Sequence, residues 1–195
     1  MTLPRLLIVA SLLLCVRLAA DDIAVVAKDD CRTIGPGYQV APQDSANAAF
    51  LTAAKEVLWG HAPYDRAFPL INPPAWGRVV SPETSGRLQT RQSFAGGFVF
   101  RLDMAHLLPK HTYVLCINGR TQHPGNELLP QSVPGHEEEK YYDFCTVTTD
   151  DTGGCHAGYA LLLHPGPYNV HFYVKDTTDH KIVLYGLYYF DFTAE

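Results

Sequence analysis

Nine histidines in 195 residues raise the question of a metal site. His156, His164, His171 and His180 lie on or beside successive strand-like segments near the C-terminus, and neutral imidazoles converging there would bind copper or zinc. A site needs three or four converging ligands, and nothing in the spacing brings these four together. His171 alternates onto a polar face with Asn169 and Lys175, and His164 stands directly before a turn proline. Scattered surface histidines explain the pattern without a cofactor, and no cofactor is expected.

The acidic residues give equally little chemistry. His136-Glu137-Glu138-Glu139-Lys140 lacks the second histidine of a zinc-protease helix, and the adjoining Pro134-Gly135 makes it a solvated acidic loop. Asp150-Asp151-Thr152-Gly153-Gly154 offers oxygens for calcium, yet the same residues make a hairpin turn with polar tips. Asp176 and Asp179 have no positive support as an acid pair. The nucleophile elbow, the zinc-protease motif, phosphate-cradling glycine loops and the EF-hand spacing are absent, so the common hydrolases and nucleotide enzymes are excluded and a catalytic role is not expected. The tyrosines are the remaining candidates. Tyr141, Tyr142, Tyr159, Tyr168, Tyr173, Tyr185, Tyr188 and Tyr189 supply amphipathic surface suited to a glycan or protein ligand, or else ordinary strand packing.

The elements that position these residues are read from periodicity. From Gly96 onward apolar residues alternate: Phe98, Phe100, Leu102; Tyr113, Leu115, Ile117; Val170, Phe172, Val174. Period two predicts strands, joined by Tyr141 to Thr148, Tyr159 to Leu163, Lys181 to Tyr185 and Leu187 to Phe192, with Gly186 as a bulge. Asn118-Gly119, residues 150–154, Pro165-Gly166-Pro167 and residues 177–180 read as turns. Before Gly96, residues 21–43 read as an extended arm. Asp44 to Trp59 reads as a helix capped by Asp44 or Ser45, with Phe50, Ala54, Val57 and Leu58 on one face and Gly60 and Pro63 as the stop. Residues 61–95 read as irregular Pro/Gly-rich chain with one strand at Trp76 to Val80.

Leu108-Pro109-Lys110-His111-Thr112-Tyr113-Val114-Leu115 and Leu163-His164-Pro165-Gly166-Pro167-Tyr168-Asn169-Val170 resemble the tyrosine corner of immunoglobulin-like and fibronectin type III-like domains. The resemblance covers about eight residues twice. It implies that Tyr113 and Tyr168 are structural corner residues whose hydroxyls bond back to the backbone. The expected fold class is all-β, an immunoglobulin-like Greek-key β-sandwich of about seven to eight strands with one N-terminal helix. The expected organisation is a signal peptide over 1–20, an arm, helix and irregular segment over 21–95, and the sandwich over 96–195.

The signal reading rests on the apolar run from Leu6 to Val16, the single cation Arg5 before it, and Leu18-Ala19-Ala20 as a cleavage site. Cys15 follows a large leucine and reads as part of that apolar run. Export is the expectation, with no integral membrane segment after cleavage. The whole chain holds 15 basic and 20 acidic residues; less Arg5 and Arg17 this leaves 13 against 20, a net of −7, which disfavours nucleic acid and anionic membranes as partners. Cys31, Cys116, Cys145 and Cys155 allow three pairings in an oxidising compartment. Cys145 and Cys155 flank the turn near Asp150, so a hairpin in register would bridge them, leaving Cys31 with Cys116 by elimination. The functional expectation is a secreted non-catalytic module binding a protein or glycan, or supporting an extracellular or envelope assembly; the alternative is a metal-binding protein or metal-dependent enzyme using the C-terminal histidines.

Overall fold

The computed structural model describes residues 23–27, 30–34, 49, 50, 52–54, 56, 57, 64–133 and 135–195. The segment 1–20 and the helix ends at Asp44, Ser45, Gly60 and Pro63 lie outside the described residues. The strands are β1 (Ile23–Ala27), β2 (Asp30–Ile34), β3 (Arg66–Ile71), β4 (Ser85–Thr90), β5 (Ser93–Phe94), β6 (Gly97–Ala105) and β7 (Thr112–Arg120). They continue as β8 (Gln131–Val133), β9 (His136–Thr148), β10 (Cys155–Leu162), β11 (Gly166–Asp176), β12 (Ile182–Gly186) and β13 (Phe190–Ala194). Helical residues between 49 and 57 form α1, and Pro124–Glu127 form α2. The chain is all-β in its architecture, and among the described residues no helix is long and apolar enough to cross a membrane.

All thirteen strands belong to one mostly antiparallel sheet that curls on itself in the order β2-β1-β10-β6-β4-β3-β12-β11-β7-β9-β8, with β13 beside β11 and β5. Strand β11 is its spine. Strict alternation buries Tyr168, Val170, Phe172 and Val174 and turns Asn169, His171, Tyr173 and Lys175 to the other face. One edge of β11 pairs with β7 from Val170 to Asp176. The other edge is shared, β13 taking Gly166 to Val170 and β12 taking Tyr173 to Lys175. Gly186 therefore ends β12 instead of bulging a continuous strand, and residues 187–189 carry the chain on to β13.

The two ends of the curl meet through their inner faces. Phe100 on β6 stands edge-on to Phe144 of β9 at 5.8 Å and to Phe172 of β11 at 5.4 Å. Each such ring, fully buried, contributes about 2–3 kcal/mol of hydrophobic stabilisation. On the outer side of β6 and β10 the cross-strand pair Val99 and Ala160 would be wet if left bare. Phe50, Ala54 and Val57 of α1 cover it, which is why that helix carries one apolar face.

Residues 61–95 depart from expectation. They contain β3, β4 and β5, while Trp76 to Val80 is a turn, closed by Gly77 N donating to Pro74 O and Arg78 N donating to Ile182 O, both at 2.9 Å. Pro69 disguised β3, because a proline cannot donate to a ladder; the strand tolerates it while pairing with β4 on one side and giving β12 only Leu70 and Ile71 on the other. Asn118-Gly119 is likewise not a turn but lies within β7, near its C-terminal end. Its glycine is required by contact: a Cβ there would lie 2.3 Å from Asn126 Nδ2 and 2.7 Å from Asn169 O. Asn126, wholly buried on α2, donates to Asn169 O at 2.7 Å and to Arg120 O at 2.9 Å, binding α2 to β11 and β7. Residues 136–138 are exposed, as a solvated segment should be, and Glu139 and Lys140 are half-buried, but all five begin β9, which pairs with β7 and β8.

Candidate functional site

The outward face of β9, β7, β11 and β12 concentrates the side chains with chemical potential. Register sets Tyr185, Tyr173, Cys116 and Asp143 in one row across four strands, and His171, Asn118 and Tyr141 in the next. Period two alone explains why Tyr141, Tyr173 and Tyr185 share this face while Tyr142, Tyr159 and Tyr168 point into the core. Tyr188, 67 % exposed, and Tyr189 follow on the turn after β12.

These groups are wired to one another. Lys175 Nζ donates to Asp143 Oδ1 at 2.6 Å and lies 5.5 Å from the Tyr141 ring centre. The Tyr141 hydroxyl donates to Glu139 Oε2 at 2.7 Å, and Asn118 Nδ2 donates to the same oxygen at 3.3 Å. The Tyr173 hydroxyl donates to Asn118 Oδ1 at 3.4 Å and lies 3.0 Å from His171 Nδ1. The His171 ring stacks on Tyr189 at 3.7 Å. Burial pushes the hydroxyls of Tyr141 and Tyr173 well above the usual tyrosine range, Glu139 adding to both, so each stays a neutral donor. Burial pulls His171 down, outweighing Glu139, so its ring is neutral at physiological pH. Burial opposes the charge on Lys175, yet its polar neighbours, the hydrogen-bonded Asp143 carboxylate among them, more than restore it and hold the amine above its ordinary value.

Trp76 closes one side. It is 56 % exposed and meets Tyr185 at 5.2 Å and 72°, and Tyr173 at 6.5 Å and 82°. Rings at near right angles form a corner with aromatic surface on two sides. An ion pair with a buried carboxylate fixes the turn that presents Trp76. Asp176, with 1 % of its side chain exposed, accepts from the Arg78 guanidinium, from Thr178 N at 2.7 Å and from His111 Nε2 at 3.0 Å. Burial alone would raise the Asp176 carboxyl; the Thr178 amide, His111 and Arg78 together hold it down at about 2. Asp179 takes the other arm of Arg78 at 3.3 Å. Asp176 and Asp179 are thus ion-pair partners of one arginine, and their role is to hold the turn.

The four candidate histidine ligands do not converge. His171 lies in the aromatic face, His156 pairs with Asp103 on the opposite half of the sheet, and His164 and His180 flank the two ends of β11, about 35 Å apart at strand rise. Among the described residues no three His, Cys, Asp or Glu side chains are placed to hold a metal ion. These four stay apart because strands β10 and β11 carry His156 and His171 to different halves of the sheet, and His164 and His180 lie beyond opposite ends of β11. The Asp150 loop is committed to itself, Oδ1 accepting from Thr152 N and Oγ1 at 2.7 Å and from Gly154 N at 2.8 Å. Those bonds, the Thr152 hydroxyl foremost, lower the Asp150 carboxyl and complete the turn.

The cysteines sit differently from the hairpin picture. Strands β9 and β10 pair with different neighbours, so Cys145 stands opposite Leu115 and Cys155 opposite Met104. Both still reach the main core. Cys116 is a wholly buried reduced thiol that donates to Ile117 O at 3.4 Å, where elimination assigned it to Cys31; the side chain of Cys31 lies outside the described residues. Tyr168 and Tyr113 both fold back on the chain before them: the Tyr168 hydroxyl donates to His164 O at 2.8 Å, and Leu108 N donates to the Tyr113 hydroxyl at 3.0 Å.

Sequence reasoning missed Trp76, read as strand, and the Arg78, Asp176 and His111 cluster, whose members are far apart in the chain. The only sequence signal for the turn was its Pro73-Pro74 and Gly77. No protein-family model matches this chain, and no curated protein or solved structure matches it.

Proposed function

We propose that this chain is an exported, non-catalytic binding module on an immunoglobulin-like Greek-key β-sandwich, and that the outward face of β9, β7, β11 and β12 is its ligand surface. The observation that carries the reading is the aromatic corner of Trp76, Tyr173 and Tyr185 placed beside an internally hydrogen-bonded set of Asn118, Glu139, Asp143, His171 and Lys175. An ordinary solvent face of a sheet has no need for a half-exposed tryptophan whose turn is held by an arginine paired to a buried carboxylate. Rigid aromatic anchors with fixed polar neighbours are what binding surfaces use. The return hydrogen bonds of Tyr113 and Tyr168 support the immunoglobulin-like resemblance. The strands beyond seven or eight are then additions at the arm and at residues 66–94. The apolar run at residues 6–16 supports export.

The test compares wild-type protein with Trp76→Ala and Tyr185→Ala against a glycan array and against secreted proteins of the source organism. The reading expects one or more interactions that both variants lose while their melting temperatures stay within a few degrees. Variants that retain every interaction of the wild type would place the ligand surface elsewhere.

A further inference from the structure

The geometry points to a neutral oligosaccharide as the ligand of the aromatic face, an assignment that rests on the binding-module reading above and goes further by naming the ligand chemistry. Three features select it. First, the corner offers ring surface on two sides, with Trp76 at 72° to Tyr185 and 82° to Tyr173. A pyranose has one patch of C–H groups per ring face, which matches an aromatic ring in size and is attracted to its electron-rich surface. Second, the polar groups beside the corner mix donors and acceptors: the hydroxyls of Tyr173 and Tyr141, the Glu139 carboxylate and the Lys175 amine, with Asn118 buried beneath them and bonded to Tyr173 and Glu139. Sugar hydroxyls both donate and accept, so they need such a mixture. The mutual bonds of the set hold each side chain in place before a ligand arrives, which lowers the ordering cost of binding.

Third, charge decides between sugar classes. Lys175 is matched by Asp143 and Arg78 by Asp176 and Asp179, the exposed Arg120 at the end of β7 stands in register with Glu139, and the chain as a whole is acidic. A face whose cations are already neutralised draws no uronic-acid or sulfated chain, because anionic polymers require a surplus of Lys or Arg. The face also lacks the basic stripe a nucleic acid would need. What remains complementary is an uncharged polyhydroxylated chain lying along the face from Trp76 toward Tyr141. Trp76 is the stacking residue; Arg78 and Asp176 are positioning residues that act through the turn.

The experiment titrates the full chain, as wild type and as Trp76→Ala, with neutral oligosaccharides of hexose and of N-acetylhexosamine, with uronic-acid and sulfated oligosaccharides in parallel. Calorimetry measures affinity, and Trp76 emission is followed in a Trp59→Phe background that leaves one tryptophan. The assignment expects saturable binding of a neutral oligosaccharide with a shift in Trp76 emission, weakened about tenfold in Trp76→Ala, and a smaller loss in Tyr173→Phe. Binding of anionic sugars alone would overturn the ligand class and leave the face as a binding surface. So would loss of a protein partner in the face variants with no sugar bound by the wild type. Equal affinity of wild type and Trp76→Ala for a neutral sugar would overturn the site itself.

Discussion

Lys175 on β11 reaches over the intervening strand β7 to Asp143 on β9, Nζ to Oδ1 at 2.6 Å, directly above the buried Cys116 thiol. This one contact ties three strands across the outward face and roofs the cysteine. Lys175 is 14 % exposed and Asp143 32 %, so the pair is partly shielded from water and stronger than a surface ion pair. Lys175→Met keeps most of the apolar stem and removes the charge. It should cost about 1–3 kcal/mol in denaturant melts, because Asp143 loses a charge-assisted hydrogen bond; a neutral result would show that the bond is screened.

The same lid makes a prediction about Cys116. Burial drives its thiol far above the ordinary cysteine range, with Lys175 opposing only in part, and a thiol that is neither ionised nor accessible does not react. Maleimide labelling of native protein followed by peptide mapping should leave Cys116 unmodified, with full labelling after denaturation. Mapping without reduction tests the remaining pairings. A peptide linking Cys116 to any other cysteine would contradict the reduced state.

Tyr168 combines core and corner. Its ring stacks on Phe192 at 4.9 Å and 3°, its hydroxyl donates to His164 O, and burial pushes its pKa up to about 12. Tyr168→Phe should cost about 0.5–1.5 kcal/mol for the lost bond, and Tyr168→Ala about 3–5 kcal/mol for the cavity. Melts of the two variants separate the contributions, and a near-neutral alanine variant would refute the structural role.

The Asp176 cluster predicts an acid transition. Its folded pKa of about 2 lies below the ordinary 3.8, so the carboxylate's stabilisation is present above about pH 4 and is lost as pH falls toward 2. The shift corresponds to about 2 kcal/mol. Stability measured from pH 5 to 2 should fall more steeply in wild type than in Asp176→Asn, which forfeits the pairing at every pH. Parallel pH profiles would mean that Asp176 titrates alike in folded and unfolded chains.

Sequence and structure agree where the signal is local. The strict alternation of β11 marks both its buried face and its outward residues, so His171 and Tyr173 could be placed on one side from the sequence. The face of α1 was legible for the same reason, since Phe50, Ala54 and Val57 recur at helical spacing. The failures lie where a distant contact overrides local chemistry. Asn118-Gly119 carries turn residues, yet a buried Asn126 demands the glycine inside a strand. Pro69 argues against a strand that survives by pairing fully on one side only. Cys145 and Cys155 flank a turn, yet their strands turn away to different partners. Trp76 could not be assigned from sequence because its place depends on Arg78 finding Asp176 nearly a hundred residues away.

The most direct test of the central claim is where on the protein a ligand is felt. Amide and indole chemical shifts of isotope-labelled full chain, recorded during titration with a neutral oligosaccharide, should move at the Trp76 indole, His171, Tyr173 and Tyr185 and stay still on the opposite half of the sheet. Shifts centred instead on the shallow groove beside Arg87, Asp103 and Met104, with Trp76 unmoved, would contradict it.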